Sequence, residues 1–230
     1  MIFAIVPARG GSQRIKNKNI KKFYSKPILY WTLKTLKKSK LFSRIVLTTD
    51  SNKIKIVAKK LGFDCIISRP VNLADNYTPT KPVIKHAIEI LKKKHDIKYV
   101  CCVYPCNPFL LPSDLKKTLK ILKKNANNFV TPVTEFSHAI QRGFILNKKN
   151  KIRLFNKKFT LNRTQDLIKS YHDAGQFYWA SINTWLSKKE ILPNSIGFPI
   201  SKWRSVDIDN IDDWKKAELL FKTSKVNEKN

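Results

Sequence analysis

The chain is expected to fold as an α/β domain: a mostly parallel sheet flanked by helices. Three observations lead there. Short apolar runs alternate with amphipathic segments along most of the 230 residues, and such alternation means βαβ units with helices on both sheet faces. The alternation fails once, between Glu135 and Tyr171, where a small hairpin-containing insertion is expected. A chain of this length can bury roughly 70–75% of its unfolded surface without staples. One domain is therefore expected over residues 1–222, with 223–230 as a disordered tail.

Each element has a local reason. Ile2–Pro7 is a short apolar run, read as a buried strand, and Ala8–Asn19 is a basic loop bearing Gly10 and Gly11. Ile28, Leu29, Leu33 and Leu36 recur at helical spacing, giving a helix from Pro27 to about Lys38. Arg44–Thr49 is a second strand. Asp50 or Ser51 can cap a helix through Leu61, which Gly62 stops. Asp64–Ile67 is a third strand and Ser68–Thr78 a loop. Val83, Ile84, Ala87, Ile88 and Leu91 share one face of a helix from Thr80 to about Lys94. Tyr99–Tyr104 is a fourth strand, broken by Pro105 and Pro108. Pro112–Asn125 is helical and Phe129–Thr134 a strand. Ile140–Leu146 and Ile152–Phe155 read as a hairpin turning at Asn147–Asn150. Gly175–Ile182 is an aromatic strand, Arg204–Ile208 another, and Ile211 to about Lys222 a closing helix.

Composition excludes several classes. With 6 Gly and 4 Cys, the chain is neither collagen-like nor a disulfide scaffold. Basic residues number 46 against 16 acidic, a formal net charge of +30. That charge suggests a nucleic-acid-binding module, which would be attracted to phosphates. Only 8 of the 46 are arginine, however, and arginine is the usual reader of base edges. Lys, Ile and Asn are together what an AT-rich coding sequence favours, so no specific nucleic-acid partner is expected. The runs Lys37–Lys38, Lys59–Lys60, Lys92–Lys94 and Lys123–Lys124 fall in the last turns of expected helices, where cations complement the helix dipole. Those ends lie opposite the sheet edge where ligands usually bind. Met1–Val6 is too short for a signal peptide, and no run approaches the ~20 apolar residues of a membrane helix. A cytoplasmic protein with no membrane partner is expected. Cys65, Cys101, Cys102 and Cys106 should then stay reduced, and their spacing is not a zinc pattern.

Three constellations carry chemistry. The first is Pro7-Ala8-Arg9-Gly10-Gly11-Ser12-Gln13-Arg14-Ile15-Lys16-Asn17-Lys18-Asn19, following the first strand directly. Gly10 and Gly11 let the backbone approach a ligand and expose amide donors. Arg9, Arg14, Lys16 and Lys18 add charge; Ser12, Gln13 and Asn19 add polar groups. Such a cradle suits a polyphosphate, although it matches neither familiar phosphate-loop pattern; a plain basic surface loop is the bland alternative. The second is Asp207-Ile208-Asp209. Residues i and i+2 of a strand share a face, about 6–7 Å apart. Two carboxylates so placed can hold Mg²⁺, which favours one or two carboxylates plus substrate phosphates. Alternatively, Asp209 merely caps the helix starting near Ile211 and Asp207 is solvated. The third is Tyr171-His172-Asp173-Ala174-Gly175-Gln176-Phe177-Tyr178-Trp179, polar groups beside an aromatic strand, suited to the rim of a sugar pocket. His172 can serve there as a base or simply as a hydrogen-bonded structural group.

These residues resemble a known family. Ile5-Val6-Pro7-Ala8-Arg9-Gly10-Gly11-Ser12 through Lys18-Asn19 resembles the signature of the CMP-sialic acid synthetase (acylneuraminate cytidylyltransferase) family. The resemblance continues at Thr49-Asp50, Arg69-Pro70, Leu73-Ala74-Asp75 with Thr78, Tyr104-Pro105 with Pro108-Phe109, and Asp207-Ile208-Asp209. It covers residues 2–220. Pro132-Val133-Thr134-Glu135-Phe136 with Ile140-Gln141-Arg142, and the Tyr171–Trp179 stretch, are similar to the pseudaminic acid cytidylyltransferase branch.

The resemblance implies a Rossmann-like nucleotidyltransferase fold, a homodimer contacting through residues 135–171, and Mg²⁺ dependence. The implied reaction joins CTP to a nine-carbon acid sugar: pseudaminic acid or, alternatively, N-acetylneuraminate, legionaminate or Kdo. Carried over, Ala8, Arg9, Gly10, Gly11, Ser12, Gln13, Lys18, Asn19, Arg69 and Tyr104 would meet CTP. Arg9 and Lys18 would neutralise its phosphates, and Asp207 and Asp209 would organise the metal, Asp209 acting in catalysis. Gln141, Arg163, Gln165, Asp166, His172, Asp173, Gln176 and Tyr178 are the expected sugar contacts. The family commonly has Lys where this chain has Gln13; Arg14 or Lys16 can supply the missing charge. The base that deprotonates the sugar stays open among metal-bound water, Asp209 and His172.

Overall fold

The computed structural model describes the backbone of residues 1–227 and the side chains of residues 1–224. Its strands and helices, in chain order, are β1 (Ile2–Pro7), β2 (Lys22–Phe23), β3 (Lys26–Pro27), α1 (Ile28–Ser39), β4 (Arg44–Thr49), α2 (Asn52–Leu61) and β5 (Cys65–Ser68). There follow α3 (Thr80–Leu91), β6 (Tyr99–Val103), α4 (Pro112–Lys124), β7 (Phe129–Glu135), β8 (Phe144–Leu146) and β9 (Ile152–Leu154). The chain continues through β10 (Tyr171–Asp173), β11 (Phe177–Ser181), α5 (Ile182–Leu186), β12 (Ser195–Pro199) and α6 (Ile211–Asn227).

The central sheet has β5, β4, β1 and β6 parallel and side by side. β11 joins β6 antiparallel. β7 pairs antiparallel with both β11 and β10 on one edge, and parallel with β12 on the other. Alternate residues of β1 point to opposite faces, as the strand repeat requires. Ala4 and Val6 pack with α1, α2 and α4 through Leu29, Leu33, Ile54 and Leu115. Phe3 and Ile5 pack with α3 and α5 through Ile84, Ile88 and Trp185. The sheet is thus covered on both faces, and this burial explains why its parallel strands are continuously apolar.

Local signals set several ends. The Ser51 hydroxyl accepts from the Ile54 N–H, capping α2, and Gly62 closes that helix at φ +80°, a conformation glycine adopts without steric cost. The hairpin β8–β9 turns at Asn147–Asn150 as expected, with the Asn150 N–H on the Asn147 carbonyl at 2.9 Å.

Other expectations need correction. Arg204–Ile208 is not a strand: Lys202–Arg204 is a short 3-10 turn, and residues 205–209 have neither regular structure nor a ladder partner among the described residues. The strand that does join β7 is β12, whose Gly- and Pro-bearing sequence gave no strand signal. Ile140–Arg142 is a 3-10 turn rather than the start of a strand. The aromatic strand stops at Ser181, whose hydroxyl accepts from the Thr184 N–H and starts α5. Finally, α6 continues past Lys222 to Asn227. That part of the expected tail is helical, and residues 228–230 lie outside the described residues. Among the described residues no helix is long and apolar enough to cross a membrane.

Candidate active site

The sheet gathers the three constellations around one cavity of about 640 Å³. It opens where β1 and β6 end, with Pro7 and Tyr104 in its lining.

The basic loop enters first. The Ala8 N–H extends the ladder to the Thr48 carbonyl at 3.0 Å. The Gly10 N–H donates to Oδ1 of Asp50 at 2.9 Å, so this amide is already engaged. A Cβ on Gly10 would come within 2.7 Å of the Ser51 Cβ. Gly10 therefore serves close packing of two loops rather than open approach to a ligand. Gly11 by contrast faces open space. Asn19 is buried and clamped at both ends of its amide: Nδ2 donates to the Arg9 carbonyl at 2.8 Å, and Oδ1 accepts from Cys106 Sγ at 3.1 Å. Burial pushes that thiol up to about 12, so it stays protonated and acts as a donor. Nη1 of Arg9 donates to the Asp75 carbonyl and to Asn76 Oδ1, at 2.9 and 2.7 Å.

The acidic residues arrive from the far end of the chain. Ile15 of the loop and Ile208 belong to one buried cluster with Phe23, Ile28, Phe109 and Trp214. That cluster holds loop and carboxylates together. Lys18 Nζ donates to the Ile208 carbonyl at 2.7 Å and lies 3.5 Å from Asp209, which also pairs with Arg14 at 2.9 Å. Asp209 does not cap α6. The Asn210 side chain accepts from the N–H groups of Asp212 and Asp213, and the Asp213 carboxylate accepts from those of Asp209 and Asn210, a reciprocal cap of the kind that closes helix starts. Among the described residues, Asp207 has no hydrogen-bond or ion-pair partner. Burial first, and Asp209 second, push its carboxyl above the ordinary value.

The opposite wall is the aromatic strand and its approach. From Val130 to Val133 on β7 is three steps, but the matching pairs on the other strand run from Trp179 to Asp173, six steps. Ala174-Gly175-Gln176 is therefore an insertion that bulges into the cavity lining, with Gly175 at φ +61°. Asp173 pins the bulge: Oδ1 accepts from the Gly175 N–H at 2.9 Å and Oδ2 from the Tyr178 hydroxyl. The Tyr104 hydroxyl meets Thr80 Oγ1 at 2.7 Å, and its ring stands edge-on to Tyr178 at 5.7 Å. Burial pushes Tyr104 up to about 12 and Tyr178 higher still, so both remain neutral hydroxyls. His172 packs on Phe136 at 4.7 Å and its Nδ1 contacts the Asp173 carbonyl at 2.9 Å.

Twelve of the expected residues thus line one cavity: Arg9, Ser12, Lys18, Asn19, Arg69, Tyr104, His172, Asp173, Gln176, Tyr178, Asp207 and Asp209. Arg69 is buried, with Nη2 on the Thr48 carbonyl at 2.9 Å, and its Nε has no partner among the described residues. Ala8, Gly10, Gly11 and Gln13 support the loop but do not line the cavity. Gln13 is exposed; Arg14, one residue on, lines the cavity, and Lys16 does not. Gln141, Arg163, Gln165 and Asp166 are not brought there either. Gln141 Nε2 donates to the Ile168 carbonyl at 2.7 Å, and Arg163 pairs with Asp166 at 2.8 Å, within the insertion. Sequence reasoning missed Asn76, Thr80 and Asn107, all of which line the cavity. Only the prolines flanking Asn107 hinted that the chain turns there.

A parallel sheet with a basic loop at its C-terminal edge, facing two carboxylates and a polar-aromatic wall, is the arrangement of a nucleotidyltransferase. The cytidylyltransferase family model matches residues 3–191. The pseudaminic acid cytidylyltransferase of Campylobacter jejuni is 38% identical over 222 residues, covering 96% of this chain and 96% of its own length. The N-acylneuraminate cytidylyltransferase of Escherichia coli is 27% identical, covering 94% of this chain and 51% of its own length. Among solved structures, CMP:2-keto-3-deoxy-manno-octonic acid synthetase, complexed with CTP, superposes with a TM-score of 0.72 at 13% identity, over 97% of this chain and 99% of its own. The chain belongs to the cytidylyltransferase family.

Proposed function

We propose that this chain transfers the cytidylyl group of CTP to pseudaminic acid, giving the CMP-sugar and pyrophosphate. The observation that carries the reading is the single cavity in which the basic loop, Asp207 with Asp209, and the Asp173–Tyr178 wall meet. The 38% identity along 96% of the chain to a pseudaminic acid cytidylyltransferase supports this choice of sugar.

In this reading the sugar's anomeric hydroxyl attacks the α-phosphorus. The new O–P bond forms as the hydroxyl gives up its proton to a base, for which Asp209 and His172 are this chain's candidates, and as the bond to the β-phosphate breaks to release pyrophosphate. Arg9, Arg14 and Lys18 neutralise the triphosphate, and the wall of His172, Asp173, Gln176 and Tyr178 orients the sugar. Catalysis is mainly positioning and charge stabilisation. Asp207 and Asp209 would hold Mg²⁺. The fit rests on an exposed Asp207, unpartnered among the described residues, beside Asp209 in the cavity lining, and two carboxylates suffice where substrate phosphates complete the coordination. Bound there, Mg²⁺ supplies charge neutralisation for the departing pyrophosphate.

The working unit in this reading is a homodimer formed through the insertion, which carries exposed Phe144, Leu146, Ile152, Phe155, Leu161 and Ile168. Leu161 is 96% and Ile168 83% exposed, an apolar display typical of a covered interface. The free thiols of all four cysteines suit a reducing cytoplasm.

The test is pyrophosphate release from CTP and Mg²⁺ with pseudaminic acid and N-acetylneuraminate in separate reactions. Release with pseudaminic acid alone is expected. Release with N-acetylneuraminate alone would keep the chemistry and overturn the sugar assignment.

A further inference from the structure

We propose that Arg204 is the positioning residue for the carboxylate arm, residues 205–209, fixing it to α4 and to the bulge at Gln176. The inference rests on the metal role given above to Asp207 and Asp209. The arm lines the cavity as irregular chain, without a ladder partner among the described residues. Something other than a sheet must therefore fix where its carboxylates stand.

Arg204 sits at the head of the arm. Its Nη1 donates to Oδ2 of Asp114, in the first turn of α4. Asp114 is 4% exposed, and no other ion pair among the described residues has a partner so buried. The Arg204 carbonyl accepts from Gln176 Nε2 at 2.7 Å. Gln176, 2% exposed, is held in turn through its own carbonyl by the Tyr104 N–H at 3.0 Å and Asn107 Nδ2 at 3.2 Å. One residue thus joins helix, bulge and arm. The other end of the arm is secured by buried Ile208 and by Lys18 on its carbonyl. Asp207 lies between the two anchors.

Stability alone does not account for this design. A buried ion pair loses in desolvation about what it gains in attraction, and an apolar pair would hold the fold as well. What the pair supplies is a fixed geometry. The dipole of α4 favours a carboxylate in its first turn, and a planar guanidinium donates in set directions. Without the Arg204 guanidinium, the head of the arm keeps only the Gln176 bond to the residue-204 carbonyl, its tie to α4 is lost, and the carboxylates can drift from the phosphate loop.

The test uses Arg204→Lys, and Asp114→Asn combined with Arg204→Gln, which removes both charges without stranding a buried carboxylate. Lys202→Ala, whose ammonium reaches only the Phe136 carbonyl at 3.2 Å, is the control. Hydrogen exchange across residues 200–212 reads the anchor in the free protein. Mn²⁺ titration by EPR with CTP present reads the carboxylates. In folded Arg204 variants, exchange in the arm is expected to quicken while β1 and β6 stay protected. Mn²⁺ affinity should fall roughly ten- to hundredfold, as for other residues that orient metal ligands. Turnover should drop with the CTP KM nearly unchanged, and Lys202→Ala should match the wild type. Folded Arg204 variants with wild-type exchange and Mn²⁺ affinity would overturn the proposal. Failure of the wild type to take up Mn²⁺ with CTP would overturn the metal reading and this role with it. That failure shows before any variant is made, so the two are distinguishable.

Discussion

At the scale of single residues, most charges of the site already hold partners within the chain. Asp209 is held by Arg14 and Lys18, and Arg9 by the loop at Asp75 and Asn76. A triphosphate must draw these cations away, and each then gains a charge-assisted bond. Arg9→Ala is expected to raise the CTP KM roughly tenfold, measured by initial rates; an unchanged KM would remove Arg9 from the phosphate site. Asp209→Asn should leave the fold intact and cut turnover about a hundredfold or more. Asp207 differs, because its carboxyl is raised by burial and by Asp209. A carboxylate raised in the folded state binds protons more tightly folded than unfolded. Its ionisation therefore costs stability as pH climbs from the unfolded value through the raised folded one. Because this carboxyl is exposed and partly screened by solvent, Asp207→Asn is expected to raise the melting temperature at neutral pH only slightly while abolishing activity, and the gain should vanish in acid below that window. A variant less stable than wild type at neutral pH would contradict this.

At the scale of elements, the sequence was most legible where structure is decided locally. β1, β4 and α2 follow from an apolar run, a cap and a glycine stop. The arm after Arg204 was misread because Val206 and Ile208 alternate with polar residues as a strand does. The alternation is real, since Ile208 is buried, but Ile208 is buried in a side-chain cluster rather than on a sheet face. The neighbouring segment β12 pairs instead with β7, some sixty residues earlier in the chain, and local pattern carries no trace of that choice. The Ala174–Gln176 bulge was hidden for the same reason: it exists only as a register difference between β7 and its partners. Gly10 was legible as a special position but for the wrong neighbour. Gly10→Ala should cost about 1–3 kcal/mol through overpacking against Ser51, read by chemical denaturation. It should also weaken CTP binding more than Gly11→Ala, which meets open space.

At the scale of the whole molecule, the candidate site was legible as a set of motifs but not as a place. The loop, the carboxylates and the rim meet as expected. Gln141, Arg163, Gln165 and Asp166 do not, because composition does not say which way an insertion points. Its exposed apolar side chains lead to a test: Leu161→Glu with Ile168→Glu should convert the proposed dimer to monomer in sedimentation, and an unchanged mass would relocate the interface. The surplus of 46 basic over 16 acidic residues makes the folded chain repel itself, an effect that salt screens. The melting temperature is therefore expected to rise between about 0.02 and 0.5 M NaCl; a flat or falling response would mean that the lysines are already neutralised by partners.

The hydrogen bond from Lys18 to Ile208 spans 190 residues of chain. During synthesis, at about 5–20 residues per second, the basic loop leaves the ribosome roughly ten to forty seconds before its acidic counterpart. Through that interval the nascent chain displays an unneutralised cationic loop beside ribosomal RNA and the cellular nucleotide pool. The last part of the cavity to be translated is thus the part that quenches the first.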